Sequence, residues 1–142
     1  MKVIFISNFL THHQLPFCLE MVRKYGSDYK FVSTIPITEE RLKLGYQNMD
    51  NDYDFVVRAY ENEETYKYAL QLALDSDIVM MGSTSDEYIV ERLKQDKLTF
   101  RYRERLFYDG WRTWLDPEKK NTIVERHFKF AHNKNLYMLL II

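Results

Sequence analysis

Glycine, proline and cysteine are scarce in this chain of 142 residues, which contains four, three and one of them respectively. So few glycines and prolines leave no flexible linker between domains, and no internal repeat or low-complexity tract divides the sequence. The one cysteine, Cys18, cannot form a disulfide within the chain, and its place in an apolar helical stretch indicates packing. We therefore expect a single domain, residues 1–142, whose core needs no covalent cross-link.

The sequence also lacks an excess of charge of one sign and a long apolar run. Lys and Arg number 20 against 21 Asp and Glu, a formal net charge of −1, which argues against nucleic acid or an anionic membrane as a partner bound through bulk charge. No stretch approaches the roughly 18 apolar residues that cross a membrane, and the first apolar run is too short for a signal peptide. These features predict a cytoplasmic protein.

Short apolar runs alternate with amphipathic segments along the whole chain. The runs predict strands at residues 3–7, 29–35, 54–60, 77–82, 98–102 and 136–142, and the amphipathic segments predict helices at residues 14–25, 39–43, 63–74, 86–93 and around 123–131. This alternation predicts a Rossmann-like α/β fold, a doubly wound and mainly parallel sheet with helices on both faces. Because a mature protein seldom stops in a fully apolar strand, we expect the natural protein to continue beyond residue 142.

In such a fold, ligands bind beyond the carboxyl ends of the strands. The loop after the first strand, residues 7–14, contains no glycine, whereas dinucleotide and phosphate-binding loops need glycines there so that phosphates can approach the backbone. The loop also lacks the acidic residues with which a response regulator holds a metal at this position. The usual nucleotide and metal sites are therefore disfavoured.

What the first loop does contain is His12 and His13, directly before a helix whose dipole disfavours a charged imidazole. A neutral imidazole can serve as a general base toward a substrate hydroxyl. Helix capping or a plain surface position is the alternative, and the pattern does not separate the two. Zinc is not predicted, because adjacent histidines are expected to point in different directions and no further His or Cys lies at ligand spacing.

Three more segments carry candidate binding groups. Residues 82–86 (Gly-Ser-Thr-Ser-Asp) offer hydroxyls and amides for a sugar or an anion, or else cap the next helix. Residues 101–105 (Arg-Tyr-Arg-Glu-Arg) offer guanidiniums for a phosphate or carboxylate, or else form a solvated charge run. Trp111 and Trp114 are typical of a carbohydrate platform, of a core or of an interface.

Four segments carry a resemblance to a known family by their order and spacing. They are MKVIFISNFLTHHQLPF (residues 1–17), TEERLKLGY (38–46), DIVMMGS (77–83) and FRYRERL (100–106). Together they resemble the N-terminal half of bacterial glycosyltransferases of the two-domain, double-Rossmann (GT-B) architecture, in particular the family 1-type enzymes of polysaccharide and cell-surface synthesis.

This resemblance implies an acceptor-binding N-terminal domain of an enzyme that transfers a sugar from a nucleotide-sugar donor to a hydroxyl acceptor. The donor, a co-substrate rather than a bound cofactor, would bind mainly to a C-terminal domain missing here, so that this chain alone would be inactive. No metal is implied, and the enzyme would be cytoplasmic or peripheral at the inner membrane. His13 would contact the acceptor or act as a base if the enzyme inverts configuration, and the acceptor site would include Asn8, Thr11, His12, Ser83, Thr84 and Arg103.

A second interpretation, in which the protein is not an enzyme, stays open beside the glycosyltransferase. The chain could be a non-catalytic α/β interaction domain whose apolar last strand and aromatic segment dock on a partner chain, a second copy included. A small nucleotide-binding enzyme complete in itself is disfavoured by the glycine-free first loop.

Overall fold

The computed structural model describes residues 1–103, 115–130 and 132–140. Its strands are β1 (Val3–Ser7), β2 (Tyr29–Ser33), β3 (Val56–Arg58), β4 (Ile78–Met81), β5 (Thr99–Arg103) and β6 (Leu136–Leu140). Its helices are α1 (Leu15–Tyr25), α2 (Glu39–Lys43), α3 (Glu63–Asp75), α4 (Glu87–Lys94) and α5 (Pro117–Phe128), with a short 3-10 turn at Gly26–Asp28.

The six strands form one sheet in the order β3-β2-β1-β4-β5-β6, and every neighbouring pair is parallel. The predicted Rossmann-like α/β fold is thereby confirmed. The direction of winding reverses between β1 and β4. In folds of this kind the ligand crevice lies at that point, beyond the carboxyl ends of the strands.

The strand β1 lies at the centre because it is apolar on both faces. Ile4 and Ile6 pack in one cluster with residues of α3 and α4. Phe5 packs on the opposite face in a second cluster that includes Cys18 of α1. Helices therefore cover both faces of the sheet, as the sequence predicts.

The helix boundaries follow local chemistry. The helix α3 begins at a capping box in which the Asn62 side chain accepts from the Thr65 backbone N–H at 2.9 Å and the Thr65 hydroxyl accepts from the Asn62 N–H at 3.2 Å. The helix α1 ends at Gly26, whose φ of +57° lies in the positive range that glycine adopts without steric cost. Among the described helices, none has the length and apolar character needed to cross a membrane.

The second strand ends earlier than predicted. The sequence predicts a strand to residue 35, but β2 stops at Ser33 because the amides that follow turn toward the first loop. The N–H of Thr34 donates to the carbonyl oxygens of Ser7 (2.9 Å) and Asn8 (2.8 Å), and the N–H of Ile35 donates to Asn8 (2.9 Å). These bonds attach the loop after β1 to the loop after β2.

Candidate functional site

The loops after β1, β2 and β4 meet at the crevice. The Thr84 hydroxyl, from the loop after β4, donates to the Thr34 hydroxyl at 2.8 Å, and Thr34 is itself bonded to the first loop. We use "the crevice" for the polar groups that line this meeting point: Ser7, Asn8, Thr34, Ser83 and Thr84. The edge at which the sequence predicts ligands thus brings Asn8, Ser83 and Thr84 together.

Gly82 and Ser7 lie close together beside the crevice, at the ends of β4 and β1. The Gly82 N–H donates to the Ile6 carbonyl oxygen at 2.7 Å. A Cβ atom at position 82 would lie 2.8 Å from the Ser7 hydroxyl oxygen and 3.2 Å from a ring carbon of Phe5. Glycine is needed here because a serine hydroxyl occupies the space beside it.

Side chains of the first loop bind to the loop itself. The Asn8 side-chain oxygen accepts from the Phe9 N–H at 2.9 Å and from the Ser7 hydroxyl at 3.1 Å. The Gln14 side chain accepts from the Thr11 N–H (3.1 Å) and hydroxyl (3.0 Å), and donates to the Ser7 hydroxyl at 3.3 Å. Asn8 and Thr11, both predicted to contact an acceptor, therefore also hold the shape of the loop.

The start of α1 offers few amides to an anion. The N–H groups of Gln14 and Leu15 both donate to the Thr11 carbonyl oxygen at 3.0 Å, and Pro16 has no N–H. Phosphate binding at a helix start depends on amides that have no other partner. This helix start is therefore a poor phosphate cradle.

Asp50 lies at the centre of a hydrogen-bond network that sequence reasoning missed. Its side chain is buried (2% exposed) and accepts from the Leu10 N–H at 3.1 Å, the Ser33 hydroxyl at 2.6 Å and the Tyr60 hydroxyl at 3.1 Å. Burial, with the nearby charge of Asp50, raises the pKa of Tyr60 to about 12. One carboxylate thus fastens the long segment 36–53 to the loop after β1, the end of β2 and the loop after β3.

The two histidines are exposed, and their rings lie against each other. The centroids of His12 and His13 are 3.8 Å apart at an interplanar angle of 44°. The expectation that the two side chains point in different directions is wrong, because both residues lie in the tight turn that leads into α1. No group of three or more His, Cys, Asp or Glu that could hold a metal occurs among the described residues.

Arg101, the first arginine of the segment 101–105, lies in the interior of the protein. Arg101 is 1% exposed, and its Nη2 lies 2.5 Å from Oδ1 of Asp86. Its guanidinium also lies over the Phe130 ring, 5.9 Å from the centroid. The expectation that this guanidinium projects over the edge toward a ligand is therefore wrong, because it is buried and paired with a carboxylate of the protein itself.

Arg103 ends β5 at the carboxyl edge, with Leu140 of β6 as its backbone partner. The position of its side chain lies outside the described structure, as do residues 104–105, Trp111 and Trp114. The proposed roles of these residues stay predictions.

The sequence leaves open that the loop after β4 serves only to cap α4, and the capping observed there is weak. Asp86 occupies the N-cap position of α4 but makes no capping hydrogen bond, because its carboxylate binds Arg101. The Ser85 hydroxyl accepts from the Glu87 N–H at the long distance of 3.4 Å. Ser83 is exposed and Thr84 half-buried, so both hydroxyls lie where a ligand in the crevice would meet them.

The five described residues that define the crevice carry hydroxyl or amide side chains and no formal charge. Each hydroxyl both donates and accepts hydrogen bonds, and the Asn8 amide supplies donors and an acceptor. This chemistry suits the recognition of hydroxyl groups. Comparison of the chain with models of protein families, with curated proteins and with solved structures finds no match, so these comparisons identify no family.

Proposed function

We propose that this chain is the acceptor-binding N-terminal domain of a bacterial glycosyltransferase that transfers a sugar from a nucleotide-sugar donor to a hydroxyl acceptor in surface polysaccharide or glycan synthesis. The supporting observation is the uncharged crevice at the point where the winding of the sheet reverses. There the Thr84 and Thr34 hydroxyls are 2.8 Å apart, and Asn8 and Ser83 lie in the adjoining loops. Sugar hydroxyls donate and accept together, and this lining offers them both kinds of partner.

In this proposal the chain positions the acceptor, and the rest of the enzyme binds the donor. Holding a hydroxyl in reach of the donor carbon lowers the barrier by removing the entropy cost of the encounter. An exposed imidazole of His13 takes the hydroxyl proton if the reaction inverts configuration. The second domain would stabilise the departing nucleoside diphosphate, so residues 1–142 alone would not transfer sugar.

The test is a transfer assay on the longest form that the gene encodes, beside residues 1–142 alone. Release of nucleoside diphosphate is measured over a panel of nucleotide sugars, with glycan acceptors present. The proposal predicts release by the longer form only, and a reduction by Thr84→Val that the control Ser27→Ala, at the opposite edge of the sheet, does not reproduce. Transfer by residues 1–142 alone would contradict the separation of donor and acceptor sites.

A second candidate function is docking on a partner chain. Tyr102, Tyr137 and Leu139 are 40%, 52% and 42% exposed on the outer strands β5 and β6. Tyr102 contacts Phe5 edge to face at 6.0 Å, and Leu139 is its backbone partner, which places these side chains on the α1 face. The right-handed connections that lead to β4 and β5 place α3 and α4 on the other face.

Sedimentation measures the mass of the chain in solution and separates the two candidates. A tight dimer that dissociates on Leu139→Ser and binds no sugar would favour docking. A monomer whose crevice amides respond to sugars would favour the transferase domain.

A further inference from the structure

A basic cluster lies at the outer rim of the first loop. The Arg41 guanidinium carbon lies 5.3 Å from the centroid of the Tyr46 ring. The Tyr46 ring is 5.3 Å from the His12 ring, which is 3.8 Å from the His13 ring. We call these four residues the rim cluster. It joins α2 and the turn after it to the first loop, beside the crevice.

Arg41, the arginine of the rim cluster, forms no ion pair in the part of the chain that the structure describes. Two other arginines of the described residues are paired: Arg23 lies 2.8 Å from Glu20 and Arg58 lies 3.1 Å from Glu61. Arg41 has Glu39 and Glu40 in its own helix but forms no ion pair with a described carboxylate, and its side chain instead stacks on Tyr46. The arrangement leaves the guanidinium N–H groups to solvent or to a ligand.

The neighbouring backbone holds the Arg41–Tyr46 pair in place. The Thr38 side chain caps α2 by accepting from the Arg41 N–H at 3.4 Å, and the Tyr46 N–H donates to the Arg41 carbonyl oxygen at 3.1 Å. Gly45, between them, has a φ of +88°, which turns the chain back toward α2. An arginine whose position is fixed in this way loses less conformational entropy when it binds a ligand.

We propose that Arg41, His12 and His13 bind a phosphate group. A guanidinium presents paired N–H donors that match two phosphate oxygens. The two imidazoles offer further N–H donors nearby, since the His12 ring lies 5.3 Å from the Tyr46 ring on which Arg41 stacks. A surface site of this kind is expected to bind inorganic phosphate with a Kd of about 1 mM. The phosphate site does not depend on the proposed transferase function. The extension that the ligand is a phosphorylated sugar whose hydroxyls enter the crevice rests on that function.

The first experiment is an NMR titration of the chain with inorganic phosphate, with chloride at equal ionic strength as the reference. The expected result is saturable shifts of the His12, His13 and Tyr46 ring signals with phosphate only. Arg41→Gln is expected to weaken binding about tenfold, and His12→Gln several-fold, whereas the exposed control Arg23→Gln leaves it unchanged. Equal shifts with chloride, or wild-type affinity in Arg41→Gln, would overturn the proposal.

A second comparison identifies the source of the phosphate. Tighter binding of a hexose 1-phosphate, with added shifts at Ser83 and Thr84, supports both the phosphate site and the transferase proposal. Equal affinity for inorganic phosphate and the hexose 1-phosphate supports the phosphate site and counts against the sugar crevice. Arg41-dependent sedimentation with phosphatidylcholine vesicles that contain phosphatidic acid would assign the phosphate to a lipid headgroup. If inorganic phosphate, the hexose 1-phosphate and the phosphatidic acid vesicles all fail to bind, the phosphate site is overturned. That result does not affect the test of the crevice with neutral sugars.

Discussion

The Ser33 hydroxyl donates a 2.6 Å hydrogen bond to the carboxylate of Asp50, which is 2% exposed. Ser33 ends the strand β2, whereas Asp50 belongs to the long connection that follows. Two further donors, the Leu10 N–H and the Tyr60 hydroxyl, bind the same carboxylate. The first loop, and with it the histidines at its end, is therefore held in place by a residue that lies outside the crevice.

Replacement of Asp50 tests this anchoring role. Asp50→Ala leaves buried donors without a partner, so we expect a loss of about 3 kcal/mol in the free energy of unfolding. Asp50→Asn keeps one acceptor oxygen and should cost less. The matched control is Asp52→Ala at an exposed position, which should change stability by less than about 0.5 kcal/mol. Urea unfolding measures all three variants, and equal stability of the Asp50 and Asp52 variants would contradict the anchoring role.

Gly82→Ala tests the close approach of β4 and β1. The added Cβ would lie 2.8 Å from the Ser7 hydroxyl oxygen, so we expect a destabilisation of about 2 kcal/mol. In a Ser7→Ala background that oxygen is absent, and the same substitution should cost about 1 kcal/mol less. Thermal or urea unfolding of the two single variants and the double variant gives this difference. Strictly additive effects would show that the contact does not limit the approach.

The reactivity of Cys18 tests the core beneath α1. Burial raises the pKa of its thiol to about 11, against the smaller opposing effect of the hydrogen bond that the Tyr29 hydroxyl donates to its sulfur at 3.2 Å. The unfolded thiol ionises at lower pH, so this contribution to stability is complete below about pH 9 and is lost as the pH rises toward 11. Iodoacetamide at pH 8.5 should therefore modify the native chain far more slowly than the urea-unfolded chain. Similar rates in the two states would contradict the burial.

His13→Ala tests the proposed base in the transfer reaction. If His13 accepts the proton of the acceptor hydroxyl, turnover of the longest form that the gene encodes should fall by about 100-fold or more, with little change in unfolding. The control is His132→Ala, an exposed histidine beyond the end of α5. Unchanged turnover, after correction for the folded fraction, would assign His13 to a structural role at the start of α1.

Local pattern predicts the sheet and the edge at which its strands end, because both follow from runs of neighbouring residues. Ile4, Phe5 and Ile6 are consecutive and all apolar, which is enough to indicate a strand covered on two faces. The crevice loops follow from the parallel topology. The turn that leads into α1 brings His12 and His13 into contact, and the alternation of residues alone could not predict this.

Interactions between distant segments could not be predicted in this way. Asp50 is one of three aspartates at alternate positions in residues 50–54, and only the folded chain shows which of them is buried among donors. Arg101 belongs to a sequence that is typical of a solvated charge run. Its burial depends on Asp86, 15 positions earlier in the chain, and on the β4–β5 pairing that brings the two together.

Under the proposed function, recognition by the crevice is directed at the hydroxyl groups of a sugar. Its most direct test is a titration of the 15N-labelled chain with neutral di- and trisaccharides, followed through the backbone amide signals. We expect saturable shifts at Asn8, Thr34, Ser83 and Thr84 at concentrations of about 10 mM or below, and their loss in Thr84→Val but not in Ser27→Ala. Shifts that avoid these four amides, or no shift with any sugar of the panel, would contradict it.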